Sequence, residues 1–264
     1  MRANDSLCRH TALRTGGRCT AFAVVHHADA LGPYLGQLKA ASQKWALLGA
    51  GTRDVARDGE VHKVVVRLGT GFCRMSVDGA QVEVGAALPC PALAWGAAAQ
   101  GLAGIDDLVR SPGSLGAALS LDEGPWRERV TEIALWRRGG VRWVPPAEAL
   151  GHKLILGARL TLEPSSIEQA TQALTAALTG ARALPSWYLP LKRGSVEVEL
   201  RRVDAAGVRL RGVLIPASSP EMVVNVGLGP ARDLKMLHRS ALKRVHQLRG
   251  VELTSAVRWS GRAS

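Results

Sequence analysis

Two glycine-rich stretches carry the residue types that can hold a phosphate. Leu48-Gly49-Ala50-Gly51-Thr52-Arg53-Asp54 follows a short apolar run, and Ser111-Pro112-Gly113-Ser114-Leu115-Gly116 follows a longer one. Glycine in such turns lets backbone N–H groups approach an anion with no Cβ in the way, and Thr52 and Arg53 add side-chain donors. An ordinary strand-to-loop turn explains either stretch alone. One after each of two α/β segments, they fit a pyrophosphate held between two pieces of chain. Neither follows the spacing of a dinucleotide-binding G-x-G-x-x-G or of a P-loop.

Other chemistry-bearing residues are sparser. The four cysteines, Cys8, Cys19, Cys73 and Cys90, lack the two-to-four-residue spacing of zinc ligands, so no metal is expected. His10 and the pair His26-His27 read as surface or strand-edge residues, and Trp136 and Trp143 as packing partners facing each other across a hairpin. Arg239, Lys243, Arg244 and Arg249 decorate one helix, with Arg201-Arg202, Arg209 and Arg211 on neighbouring segments. Such clusters are either solvated faces or a surface for a polyanion. The whole chain has 34 Lys and Arg against 22 Asp and Glu, a formal charge of +12, which points to a phosphate-bearing partner, a nucleic acid or an anionic surface. Aromatic residues make up 4%, too few for a single-strand stacking platform, so nucleic acid ranks below small phosphate compounds.

Positioning these residues needs a scaffold, and 264 residues at 47% hydrophobic and 21% charged suffice for one. The order of elements reads as α+β. A strand at 20–25, a helix at 29–42 with Leu31, Leu35 and Leu38 in register, and strands at 45–48 and 63–68 form the first part. Hairpins follow at Asp78-Gly79 and at Gly139-Gly140. Between them 86–105 runs twenty residues without a charge; its prolines and glycines make it a buried helix of about a dozen residues, not a membrane span. A strand at 154–162, a helix at 167–178, a proline-marked linker at 185–190 and strands near 195–203, 208–215 and 222–226 come next. Pro230 opens a helix with Leu234, Leu237, Ala241, Leu242, Val245 and Leu248 on one stripe and Gly250 past its end. No apolar leader opens the sequence, so a reduced, soluble, cytoplasmic protein, most simply a monomer, is expected.

Several segments in order bring a family into view. They are Thr11-Ala12-Leu13-Arg14-Thr15-Gly16-Gly17, Leu48-Gly49-Ala50-Gly51-Thr52, Val84-Gly85-Ala86-Ala87, Gly101-Leu102-Ala103-Gly104-Ile105 and Ser111-Pro112-Gly113-Ser114-Leu115-Gly116-Ala117-Ala118. Val223-Val224-Asn225-Val226-Gly227 and Val251-Glu252-Leu253-Thr254-Ser255-Ala256-Val257-Arg258 close the series. Together they resemble the short, loop-lacking class of the UDP-N-acetylenolpyruvoylglucosamine reductase (MurB) family over nearly the whole chain.

The resemblance implies an FAD-binding PCMH/VAO-type two-domain flavin fold, at 1–68 and 69–163, plus a third α/β substrate domain at 164–264. It implies FAD gripped by Gly49, Ala50, Gly51, Thr52 and Arg53 with Pro112, Gly113, Ser114 and Gly116, NADPH as electron donor, a UDP-sugar substrate, and no membrane insertion. The family's proton-donating serine falls on Ser195, within Lys192-Arg193-Gly194-Ser195, although Val196-Glu197-Val198-Glu199 replaces the run that follows it in the family. Its Tyr-Arg pair reads His152-Lys153, where Lys153 keeps the charge without the bidentate fork. Its terminal glutamate is Ala256. The family's Asn-Ala-Gly-Ala-Tyr-Gly stretch reads Asp122-Glu123-Gly124-Pro125-Trp126-Arg127. Three functions follow: an active reductase, an inactive family member that binds or scaffolds in the cell-wall pathway, and a basic nucleic-acid-binding domain.

Overall fold

The structure, a computed structural model, describes residues 1–52, 54–121, 124–137, 139–149, 154–179, 196–218, 220, 222–253 and 258–260. It divides into two compact units. The first comprises residue 1, 22–50 and 63–183; the second comprises 2–21, 51–62 and 184–264.

In the first unit the β-branched run Val61–Leu68 lies between Cys19–Val25 and the parallel strand Trp45–Leu47, with Ala46 opposite Val65. Helix α1 (Ala28–Ala40) buries Leu31 and Leu38, the periodic leucines of the sequence. A five-stranded antiparallel sheet follows in the order Gly140–Val144, Val130–Arg137, Ile155–Thr161, Gln81–Gly85 and Met75–Asp78. Both hairpin signals close two-residue loops, pairing Asp78 with Gln81 and Arg137 with Gly140, and Gly79 takes the positive φ of 55° that a primed turn needs. Trp136 and Trp143 do not face each other: Trp136 opposes Val141 and Trp143 opposes Ala134. The two-residue loop sets this register, and Trp143 stacks instead under Arg159, whose guanidinium carbon lies 4.0 Å from the ring centroid.

The charge-poor stretch folds as α2 (Cys90–Ala98), nine residues in place of about a dozen. Gly101 turns the chain at φ +68°, and Leu102–Ala103 then pairs with Glu163–Pro164. Helices α3 (Leu115–Leu121) and α4 (Ile167–Thr179) complete the unit. Leu93, Ala94, Ala97 and Ala98 of α2 share one core with Leu115, Ile133, Leu160 and Leu174.

The second unit corrects two sequence expectations. Residues 196–202 form helix α5 (Val196–Arg202), not a strand. The Val-Glu alternation there has period two, but Leu200 and Val203 are both buried at helical spacing, and Glu199 pairs with Arg202 one turn on. The strand expected across 208–215 is a tight hairpin, Arg209–Leu210 against Val213–Leu214, because Arg211 adopts φ 51° and turns the chain at Gly212. Val224–Asn225 adds a third strand. Helix α6 (Ala231–Arg249) ends on Gly250 at φ 64°, whose N–H donates to the His246 carbonyl, as the sequence indicates. Its apolar stripe packs Leu234, Leu237, Ala241 and Val245 with Leu13, Val55, Leu200 and Ile215. Arg258–Ser260 runs parallel to Asp54–Ala56. The 185–190 linker lies outside the described residues. No described helix is long and apolar enough to cross a membrane.

Candidate functional site

The first glycine turn leaves the strand Trp45–Leu47, and the N–H of Leu48 donates to the Val66 carbonyl at 2.9 Å, which fixes where the turn begins. The second loop is laid against residues 86–90. The N–H of Cys90 donates to the Gly113 carbonyl, that of Leu115 to Leu88 and that of Gly116 to Ala86, at 2.9, 2.9 and 2.8 Å. Within the first unit the two meet: a Cβ on Gly49 would lie 3.6 Å from the Ser114 hydroxyl oxygen.

Their polar groups separate into spent and open sets. Ala117 and Ala118 donate to the Ser114 carbonyl, so the first amides of α3 are engaged within the protein. An anion held here depends on the loops more than on the helix end. The N–H groups of Gly49, Ala50, Gly113 and Ser114 have no acceptor among the described residues. Gly116 serves packing: its Cβ would lie 2.9 Å from Ala86 Cβ and 3.1 Å from the Ala86 carbonyl oxygen. Arg110, exposed at the end of a 3-10 turn just before Ser111, is a cation that motif reading passes over, because only its place beside the loop marks it.

In the second unit the same turn continues through Gly51 and Thr52. Gly51 holds φ +72°, and a Cβ there would come within 2.1 Å of the His10 carbonyl oxygen; its own carbonyl accepts the N–H of Ala12. Only glycine tolerates both constraints. The segment behind it is pinned by Asp5, 5% exposed, whose carboxylate takes the His10 imidazole at 2.9 Å and the Ser6 N–H at 2.9 Å. The hydrogen bond from His10 holds the Asp5 carboxyl below the usual carboxylate range despite burial. His10 is therefore a partly buried structural partner, with its side chain 13% exposed. Asn225, part of the motif series, donates to the carbonyls of Leu13 and Gly229 and accepts the Gly229 N–H, clamping the Thr11–Gly16 motif.

Arg53, Lys153, Ser195 and Ala256 lie outside the described residues, as do Asp122 and Glu123. Arg127 donates to the Leu119 carbonyl at 2.7 Å. Among the described residues no group of His, Cys, Asp or Glu is arranged to hold a metal.

An α+β scaffold whose two glycine loops meet with unengaged amides defines a class: proteins that seize a phosphate-bearing ligand through the backbone. The particular family follows from likeness along the chain. It is 30% identical to the UDP-N-acetylenolpyruvoylglucosamine reductase of Anaeromyxobacter sp. (strain Fw109-5), over 97% of this chain and 87% of that protein. It is 29% identical to the reductase of that name from Pelobacter propionicus, over 98% and 95%. The crystal structure of the MurB reductase from Thermus caldophilus superposes with a TM-score of 0.81 at 21% identity, covering 96% of this chain and 97% of that one, so the fold is the MurB fold. No family model matches the chain. The chain belongs to the UDP-N-acetylenolpyruvoylglucosamine reductase family.

Proposed function

We propose that this chain is a cytoplasmic, FAD-dependent enzyme of peptidoglycan precursor synthesis that takes electrons from NADPH and reduces the enolpyruvyl group of UDP-N-acetylenolpyruvoylglucosamine. The observation that carries this reading is the meeting of Gly49 and Ser114 beside four amides without acceptors among the described residues. That donor set fits a pyrophosphate: two of the four sites, Gly49 and Gly113, have no Cβ to hold an oxyanion away.

Gly49, Ala50, Gly113 and Ser114 would hold the pyrophosphate of FAD. By the family resemblance Gly51, Thr52 and Arg53 would also contribute; Pro112 fixes the second loop's backbone and Gly116 seats it. When bound, FAD supplies the hydride chemistry. On the substrate side, in the domain read at 164–264, Ser195 would deliver a proton to the carbon next to the site of reduction. Lys153 would face the negative charge that develops on the enolpyruvyl carboxylate side, with weaker geometric control than an arginine fork. Ala256 can neither polarise nor relay a proton, so turnover is slow.

Ala256 also favours a second reading, a family member that binds without catalysing. The two separate in one experiment. Purified protein supplied with FAD should show the flavin band near ~450 nm. It should oxidise NADPH only when UDP-N-acetylenolpyruvoylglucosamine is present, and Ser195→Ala should remove that dependence while keeping the band. A flavin band without substrate-dependent oxidation selects the binding protein. A chain that takes up no flavin rejects both.

A further inference from the structure

Positive charge is concentrated in the second unit, which holds 20 Lys and Arg against 10 Asp and Glu, while the first holds 14 against 12. The excess has a local focus where residues 57–58 meet α6. The Asp58 carboxylate accepts the N–H of Ala231 at 2.7 Å through one oxygen and that of Arg232 at 3.0 Å through the other. This pins Arg57 beside the first turn of the helix. One turn along, Lys235 and Arg239 follow at i and i+4, on one face.

Among the described residues nothing balances these cations. The Nε of Arg57 is buried and has no hydrogen-bond partner, and the same holds for Nε2 of His238, three residues from Lys235 and 5% exposed. The acids beside them in sequence are committed elsewhere. Both oxygens of Asp58 serve the helix amides, and Asp233 is bound by Arg211 at 3.1 Å, with Arg232 at 3.9 Å. Among the described residues, no carboxylate pairs with Arg57, Lys235 or Arg239. The Arg239 guanidinium, with some burial and then Arg57, holds the Lys235 ammonium below the ordinary lysine range. Like charges one helical turn apart destabilise a helix, and a buried donor without an acceptor is costly. A bound anion relieves the repulsion.

We propose that Arg57, Lys235 and Arg239 form a binding site for a phosphate-type oxyanion. A tetrahedral dianion accepts hydrogen bonds from the Lys235 ammonium and from the guanidinium groups of Arg57 and Arg239 while neutralising the trio. The ligand is either free phosphate or the phosphoryl end of a larger metabolite. The site shares no residue with the glycine loops, with Lys153 or with Ser195, so it stands independently of the flavin reading.

The test is thermal unfolding of the full chain in sodium phosphate, in glycerol 3-phosphate and in sodium chloride at matched ionic strength. Phosphate should raise the Tm saturably above the chloride baseline. Lys235→Gln should weaken that response at least tenfold in apparent Kd, and should also raise the Tm in phosphate-free buffer, because it removes a repelled charge. Arg57→Gln should weaken the response as well; should that variant fail to fold, the paired behaviour of Lys235→Gln decides. A stronger response to glycerol 3-phosphate than to phosphate assigns the site to a phosphorylated molecule, and the reverse order assigns it to free phosphate. Equal effects of phosphate and chloride, an unchanged response in Lys235→Gln, or a fall in its phosphate-free Tm overturn the proposal.

Discussion

The two units leave different groups open to an anion. In the first, Arg159 lies between Glu83 and Glu132 at 3.0 and 2.8 Å and over the face of Trp143, and Arg129 pairs with Glu163. These two cations are answered by carboxylates, and among the described residues the unit leaves backbone amides open in its glycine loops. In the second, the charges of Arg57 and Arg239 act on Lys235, and the buried Nε2 of His238 has no hydrogen-bond partner among the described residues. The contrast shows two routes to an anion. Amides in glycine turns give a shaped, uncharged cradle that works at any pH. A cation trio gives strength at the expense of repulsion when empty.

The sharpest way to test the contrast is to damage each unit and ask whether pH and phosphate matter. Leu93 is fully buried in the first core, so Leu93→Ala should cost about 4 kcal/mol in urea unfolding, with the loss independent of pH between 5 and 8 and of phosphate. A pH-dependent loss would break the comparison.

His238 should give the second unit the opposite behaviour. Burial first, and Arg239 second, push its pKa down from 6.5 to about 4. The unfolded chain thus binds a proton that the folded chain refuses between these values. The stability is fully present above pH 6.5 and falls by about 3 kcal/mol as pH drops towards 4. Hydrogen exchange read by segment should show α6 opening first on acidification, and His238→Leu should flatten the dependence. Uniform protection loss across both units would contradict it.

Smaller effects refine the picture. Asn225→Ala removes one hydrogen bond to the Leu13 carbonyl and two to Gly229, and should cost about 2 kcal/mol, with enhanced exchange at residues 11–16. Asp58→Ala removes the acid that caps the first amides of α6, for about 1 kcal/mol, and should leave α2 and α4 untouched.

The first unit is the more legible in sequence, for a physical reason. Asp78-Gly79, the spaced leucines of α1 and the β-branched run 61–68 state local preferences that packing did not overturn. Val196 to Glu199 shows the converse: alternation says strand, and the burial of Leu200 and Val203 makes a helix. At the glycine loops, sequence indicated which residues cluster but not how the roles divide. Gly49 and Gly113 leave amides open, Gly116 is needed for contact with Ala86, and Gly51 for its turn over His10. The Asp5–His10 pair and the meeting of Arg57 with α6 were out of reach, because both depend on tertiary approach, the second across 173 residues of chain.

The most direct test of the central claim compares FAD with riboflavin, which has the ring system but no pyrophosphate. If the amides of Gly49, Ala50, Gly113 and Ser114 hold the pyrophosphate, titration followed by flavin fluorescence should show FAD binding at least ~100-fold more tightly than riboflavin, about 3 kcal/mol. Equal affinity for the two, or uptake of neither, would contradict the account.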